Sequence, residues 1–286
     1  MPPAHPPLLA STGPFFMFSL EEAFELIAQA GFDGAELMIT QDRISQDPLR
    51  LAALAARYEL PVPAVHGPFL LATSLVFGLD PRGKIARSVE FADRVGADTV
   101  VIHPPYRWQS AYAEWLDERI VEIFQDTGIR VTVENMFPVY ARGQRVQFHS
   151  GVRPEEMRRY PYVTLDLSHL AASGVDLDHA WDELADRVVH VHASNNAGDG
   201  RDDHAPLDRG ILRVDRFLER VRADGYGGAV TLELDVRPWA DDRAALLRVL
   251  RENRELASSA LRGARPAASH GRRPAGGQPF RARQAG

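Results

Sequence analysis

The sequence predicts an α/β chain of the (β/α)8 barrel class, folded as one domain. Three observations carry this prediction. Six short apolar runs each end in His, Asp or Glu: Pro63–His66, Thr99–His103, Val131–Glu134, Val163–Asp166, Val188–His192 and Val230–Glu233. Strand-like and amphipathic helix-like stretches alternate with a period of roughly 30 residues, the spacing of βα units. The turn after the first strand, Ser11-Thr12-Gly13-Pro14, is not the glycine-rich turn that an open doubly wound sheet places there. Eight βα units closing into a ring is then the economical topology.

In chain order the pattern predicts strands over Leu8–Ser11, Gly34–Ile39, Pro61–His66, Thr99–His103, Ile129–Glu134, Val163–Asp166, Val188–His192 and Ala229–Leu234. Helices are predicted over Leu20–Ala30, Pro48–Tyr58, Arg82–Val95, Ala111–Thr127, Pro154–Arg159, Leu177–Ala185, Val214–Ala223 and Asp241–Ala260. The first helix shows the logic: Phe24, Leu26, Ile27 and Ala30 recur close to the 3.6-residue period of one buried face. Two residues before five of the strand-end groups stand Ala64, Val101, Thr132, Thr164 and Thr231. All are small or β-branched, as a crowded barrel interior requires.

The predicted barrel occupies residues 1–257. The stretch 258–286 is rich in Arg, Pro, Gly and Ala and holds no acidic residue. It is expected to be disordered, because it cannot bury enough apolar area to offset its ordering entropy. A basic tail touching nucleic acid or an acidic partner is the alternative.

Composition narrows the chemistry. At 286 residues and 45% hydrophobic content the chain can bury a sizeable core. No run approaches the roughly 18 apolar residues of a membrane span, and the N-terminus lacks the pattern of a secretory signal. A cytoplasmic protein with no membrane partner is expected. Cysteine is absent, so any metal must be held by nitrogen and oxygen. Lys84 is the sole lysine and precedes a helical stretch, Ile85–Val95, rather than ending a strand. A Schiff-base mechanism therefore lacks a well-placed amine. The net charge of −6, with no basic block in the barrel, weakens a general nucleic-acid reading. No nucleotide cofactor is expected.

The C-terminal ends of barrel strands surround the active site in this fold class. A charge buried there costs several kcal/mol unless paired or metal-bound. Here those ends supply His66, His103, Glu134, Asp166, His192 and Glu233, with His169 three residues beyond Asp166. The polar loop after His192 adds Asp202 and His204. Imidazoles and carboxylates at this density suit Zn²⁺, Mn²⁺, Co²⁺ or Fe²⁺ rather than Ca²⁺. Glu36 is either a site residue or an inner-face hydrogen-bond partner, and His190, deeper on its strand, reads as a satisfied core histidine. Arg107 and Trp108, just past a strand end, suit a phosphate or sugar-ring contact as well as an exposed loop.

From about Leu8 to Ala257 the motifs GFDGAE, VHGPF, VVIHPP, VTVENM, VTLDLSH, HVHASN and VTLEL follow one another. In that order and spacing the chain resembles the xylose-isomerase-like barrel superfamily. That superfamily includes sugar (phosphate) isomerases and epimerases and the type IV apurinic endonucleases. The resemblance implies that Glu134, Asp166, His192 and Glu233 hold one divalent metal, Mn²⁺, Co²⁺ or Zn²⁺. It implies that Glu134 and Glu233 move a proton through an enediolate of a small polyhydroxylated carbonyl substrate. His169, Glu36, Arg107 and Trp108 are then expected to contact substrate.

The same resemblance carries an alternative, a phosphodiesterase acting on abasic DNA with three zinc ions. His66, His103 and a bridging Glu134 would hold the second ion, and His169, Asp202 and His204 the third. The family's Asn-Asp pair is replaced here by Ser194-Asn195, however, and Asp208-Arg209 stand where small residues are common. A third reading is a metal-stabilised barrel that binds a sugar without turning it over. Barrels of this type often pair, so a homodimer stands open beside a monomer.

Overall fold

The computed structural model describes residues 5–141 and 144–263. Its strands are β1 (Leu8–Ser11), β2 (Gly34–Met38), β3 (Ala64–His66), β4 (Thr99–Ile102), β5 (Arg130–Glu134), β6 (Val139–Ala141), β7 (Gln144–Val146), β8 (Val163–Asp166), β9 (Val188–Ala193) and β10 (Ala229–Leu232). Eight of them run parallel and close in the order β1-β10-β9-β8-β5-β4-β3-β2, while β6 and β7 form an antiparallel hairpin outside the barrel. The (β/α)8 class is therefore the observed one.

Helices α1 (Leu20–Ala30), α2 (Pro48–Arg57), α3 (Pro81–Val95), α4 (Ser110–Thr127), α5 (Pro154–Met157), α6 (Leu167–Ser173), α7 (Leu177–Leu184), α8 (Val214–Ala223) and α9 (Arg243–Arg262) complete the units. Their starts follow local chemistry. Ser19 caps α1 in a reciprocal capping box with Glu22, and Asp47 and Asp80 cap α2 and α3 ahead of a proline at the first turn. Gly31 ends α1 at φ 84°, a left-handed conformation that costs glycine nothing. Phe24, Leu26 and Ile27 of α1 are fully buried against the barrel, each contributing about 1.5–3 kcal/mol relative to exposure.

Inside the barrel, Ala64, Val101, Thr132, Thr164 and Thr231 are all buried, and the Thr132 and Thr164 hydroxyls bond to each other. Strand stagger sets the heights above them. Asp166 pairs with His192, His192 with Thr231, and Glu134 with Thr164. Glu233 follows the end of β10, two residues above Thr231. The strand ends therefore climb around the rim toward one face.

Most boundaries shift by one or two residues from the sequence expectation, and three differences have an evident cause. β3 begins at Ala64 rather than Pro61, because Pro61 and Pro63 have no N–H for the ladder, although both carbonyls accept from neighbouring strands. The loop expected after Asp166 is α6, with His169 in its first turn. α9 continues past residue 257 to Arg262 and buries Ser258, Ala260 and Leu261, so apolar contact, not the arginines, decides where the helix ends. The remainder of the expected tail, 264–286, lies outside the described residues.

Candidate metal centre

Glu134, Asp166, His192 and Glu233 bring one ligand atom each to within 4.8 Å of one another. His192 Nδ1 lies 2.8 Å from Glu134 Oε1, 3.1 Å from Glu233 Oε2 and 3.7 Å from Asp166 Oδ2. β5, β8 and β9 supply the first three residues, and the turn after β10 supplies Glu233. Asp166 Oδ1 caps α6 by accepting the His169 N–H at 2.7 Å. Its second oxygen is buried with no hydrogen-bond partner among the described residues. An orphaned carboxylate oxygen in a dry site costs about 1–3 kcal/mol or more. Together with the two facing carboxylates and one imidazole, it makes a donor set that fits a divalent cation of the Mn²⁺, Co²⁺ or Zn²⁺ kind.

Beneath the four residues, Glu36 occupies the barrel interior with no exposed surface. Its Oε1 lies 3.1 Å from His192 Nε2, and its Oε2 accepts from His190 Nε2 at 2.6 Å and Thr231 Oγ1 at 3.2 Å. Glu36 does not line the cavity above the rim and stands as an inner-face hydrogen-bond partner of His190 and His192. A carboxylate on the far nitrogen of a metal-ligating His fixes its tautomer and ring orientation. His190 is the satisfied core histidine expected.

Charge on these groups follows their neighbours. Burial pushes the Glu134 carboxyl up, but His192 and hydrogen bonds from His192 and His66 hold it well below the usual carboxylate range. Burial disfavours the His192 imidazolium, yet Glu36, Glu134 and Glu233 outweigh it and hold the ring well above the ordinary imidazole range. A cation arriving at this site takes over the charge that the imidazolium otherwise supplies.

Three further groups adjoin the four: Glu36, His190 and His192 beneath them, and two beside them. Glu134 Oε2 faces His66 Nε2 at 3.3 Å and His103 Nε2 at 3.4 Å. Asp166, His169 and His204 cluster on the other side, with Asp202 Oδ2 2.8 Å from His204 Nε2 and 3.4 Å from His169 Nε2. Burial drives His103 well below the ordinary imidazole range; Glu134 opposes this, and the His66, His149 and His169 rings add to it. His204 behaves oppositely: burial lowers it, but Asp202 outweighs burial and brings it up to about 10. His204 also holds φ 44°, a left-handed conformation uncommon outside glycine.

Above the rim opens a cavity of about 380 Å³, lined by Glu134, Glu233, His66, His103, His169 and His204 among others. Pro14, Phe16, Met38 and Phe137 give it an apolar wall. Asp166 and His192 are fully buried and do not line it. Arg107 and Trp108, expected as substrate contacts, do not line it. The loop after β4 turns outward: Trp108 is 66% exposed and stacks on Tyr106 at 4.7 Å, while Arg107 pairs with Glu156 at 3.4 Å.

Sequence reasoning missed Asn135. Its Oδ1 accepts the Asp166 N–H at 2.7 Å and its Nδ2 donates to the Asp166 carbonyl at 3.1 Å, locking the ends of β5 and β8 together. A polar residue directly after Glu134 in the run VTVENM was the available signal. Ser168, which donates to Asp202 Oδ1 at 2.7 Å, was also missed.

Comparison with known proteins agrees with this architecture. The family model described as xylose isomerase-like TIM barrel matches residues 24–253. An uncharacterized Mycobacterium tuberculosis protein is 34% identical over 261 residues, covering 83% of this chain and 92% of that protein. Among solved structures, a D-tagatose 3-epimerase-like protein is 25% identical with a TM-score of 0.66, over 88% of this chain and 98% of the other. The IolI protein with a bound zinc atom shares the fold at 14% identity and a TM-score of 0.69, over 89% and 99% of the two chains. The family match runs from within α1 into α9 and takes in all four clustered residues, and this chain belongs to the xylose isomerase-like TIM barrel family.

Proposed function

We propose that this barrel is a divalent-metal-dependent isomerase or epimerase of a small sugar or sugar derivative. The observation that carries the reading is the placement of Glu134 and Glu233. Both line the cavity, and both approach the same His192 nitrogen within 3.1 Å. Glu134, Asp166, His192 and Glu233 would hold the cation, which when bound polarises adjacent carbonyl and hydroxyl oxygens and acidifies the C–H between them.

The remaining work falls to side chains. One of Glu134 and Glu233 removes the carbon-bound proton and the other returns one, a division that inverts or relocates the centre. Ser11 Oγ donates to Glu233 Oε1 at 3.4 Å and His66 Nε2 stands 3.3 Å from Glu134 Oε2, so each carboxylate has a neighbour that restricts its rotation. His169 and His204 line the opposite side as partners for substrate hydroxyls. Phe16, Met38 and Phe137 present apolar surface to the sugar's C–H face and limit water at the reacting carbon. The family's sugar epimerases, represented above by the D-tagatose 3-epimerase-like structure, support the substrate class.

The test is solvent exchange. Metal-loaded protein incubated with ketoses in deuterium oxide should place deuterium at the carbon beside the carbonyl, and EDTA should stop it. A second reading draws support from the two flanking groups, His66–His103–Glu134 and Asp166–His169–His204, which extend the donor set toward three ions. Nicking of an abasic duplex, with no deuterium in any ketose, would replace the isomerase reading by the nuclease one.

A further inference from the structure

Lys84, the chain's sole lysine, is not a surface residue. It stands in the first turn of α3 and is only 5% exposed. It lines a second cavity, of about 230 Å³, together with Phe69, Ser74, Gln109, Tyr112 and His149. His103 and Leu70 line both this cavity and the one above the candidate metal centre, so the two adjoin across these side chains.

The two cavities differ in charge. Glu134, Glu233, Asp202, Asp203 and Asp235 line the first; no acidic residue lines the second among the described residues. Lys84 Nζ donates one hydrogen bond, to the Pro68 carbonyl at 2.6 Å, and lies 5.8 Å from the centre of the Phe69 ring. An ammonium carries three donors, so two remain. Burial alone pushes its pKa below the ordinary lysine range, with no carboxylate contributing. A buried cation without a counter-charge is costly, and natural interiors retain one where an anion completes it.

Neighbouring groups add donors of the same kind. Gln109 Oε1 accepts the Tyr106 N–H at 3.0 Å, which leaves its amide nitrogen without a protein partner among the described residues. Gln109 is also the N-cap of the long helix α4 and makes no side-chain capping bond. The partial positive end of that helix therefore lies beside the same cavity. The Tyr112 hydroxyl is buried with no hydrogen-bond partner among the described residues.

We propose that the Lys84 cavity receives an anionic group, a phosphate or a carboxylate, carried by the substrate at the end remote from its metal-chelating oxygens. This rests on the isomerase reading and narrows it: the substrate is a sugar phosphate or a sugar acid rather than a neutral sugar. One end of such a molecule meets the carboxylate-rich candidate metal centre and the other meets Lys84 and the Gln109 side-chain amide. Lys84 acts in binding and specificity and takes no part in proton transfer.

Exchange rates measured with D-fructose, D-fructose 6-phosphate and D-fructuronate on the metal-loaded full chain test the proposal. Wild type should favour one anionic ketose over the neutral one by about tenfold or more in kcat/KM, the strength of a charge-assisted hydrogen bond. Which anion wins separates phosphate from carboxylate. Lys84→Met should erase that preference through KM, and Lys84→Arg should keep most of it. A wild-type ratio near one, or a Lys84→Met variant that slows all three ketoses equally, overturns the proposal.

Calorimetric titration with glycerol 3-phosphate and with D-glycerate needs no turnover. A dissociation constant weakened about tenfold in Lys84→Met upholds the anion site even where no ketose exchanges, an outcome that would sink the isomerase reading alone. Equal constants in wild type and variant sink the anion site. Lys84→Gln, which can still donate to the Pro68 carbonyl, replaces the Met variant if thermal melting shows that the latter is unfolded.

Discussion

His192 Nε2 hydrogen-bonds Glu36 Oε2 at 3.2 Å in the barrel interior, and this bond leaves Nδ1 of the same ring facing the rim carboxylates. Glu36 would thus orient a ligand of the candidate metal centre without lining the cavity. Glu36→Gln should weaken Mn²⁺ or Zn²⁺ binding by about 10–100-fold, the usual cost of removing such a partner. Competitive metal titration measures it, and an unchanged affinity would show that His192 is oriented by packing alone.

Asp166 performs two tasks that substitution can separate. One oxygen caps α6 and the other has no hydrogen-bond partner among the described residues. Asp166→Asn keeps an acceptor for the cap and loses the anionic ligand, so metal affinity should fall with little change in urea stability. Asp166→Ala should lose metal and also about 1 kcal/mol of stability from the missing cap. Equal stability of the two variants in EDTA would contradict the cap assignment.

Glu134 and Glu233 are assigned to proton movement. Glu134→Gln and Glu233→Gln should each slow deuterium incorporation by about 10²–10⁴-fold, the contribution of a positioned acid or base. Nuclear magnetic resonance of the recovered sugar reads the rate. Exchange at the wild-type rate in either variant would remove that residue from the mechanism.

The Asp202–His204 pair gives the metal-free protein a pH signature. Burial opposes the imidazolium, but Asp202 at 2.8 Å prevails and His204 rises to about 10. The folded value lies above the unfolded one, near about 6.5, so the stabilisation is complete below that pH. It is lost as pH rises through about 10. Urea midpoints of EDTA-treated protein should therefore decline over that interval, and His204→Gln should flatten part of the decline. Parallel curves for the two proteins would show that the pair does not stabilise the fold.

Much of this was legible in the sequence because a buried strand that ends in a charged group is chemically conspicuous. His66, Glu134, Asp166 and His192 end or nearly end their strands as expected, while His103 and Glu233 fall one residue beyond theirs. What stayed hidden depends on contacts between distant segments. The position of Glu36 beneath His192 is set by the pairing of β2 with its neighbours and by the stagger of the barrel, which no local pattern encodes. Lys84 reads as an ordinary helix-start residue until α3 packs it against the Pro68 carbonyl and the Phe69 ring. Arg107 and Trp108 lie away from the cavity because a strand end does not specify which way the following loop turns. α6 was missed because LSHLAAS is too short to show a helical period, and the capping oxygen that starts it belongs to Asp166, already claimed as a ligand.

Metal content per chain is the most direct test of the central claim that Glu134, Asp166, His192 and Glu233 form a divalent-metal site. Elemental analysis of the purified full chain after Mn²⁺ or Zn²⁺ loading should find a tightly held divalent ion that Asp166→Asn and Glu233→Gln both release. A wild-type chain that holds no ion after loading, or variants that retain it fully, would contradict the assignment.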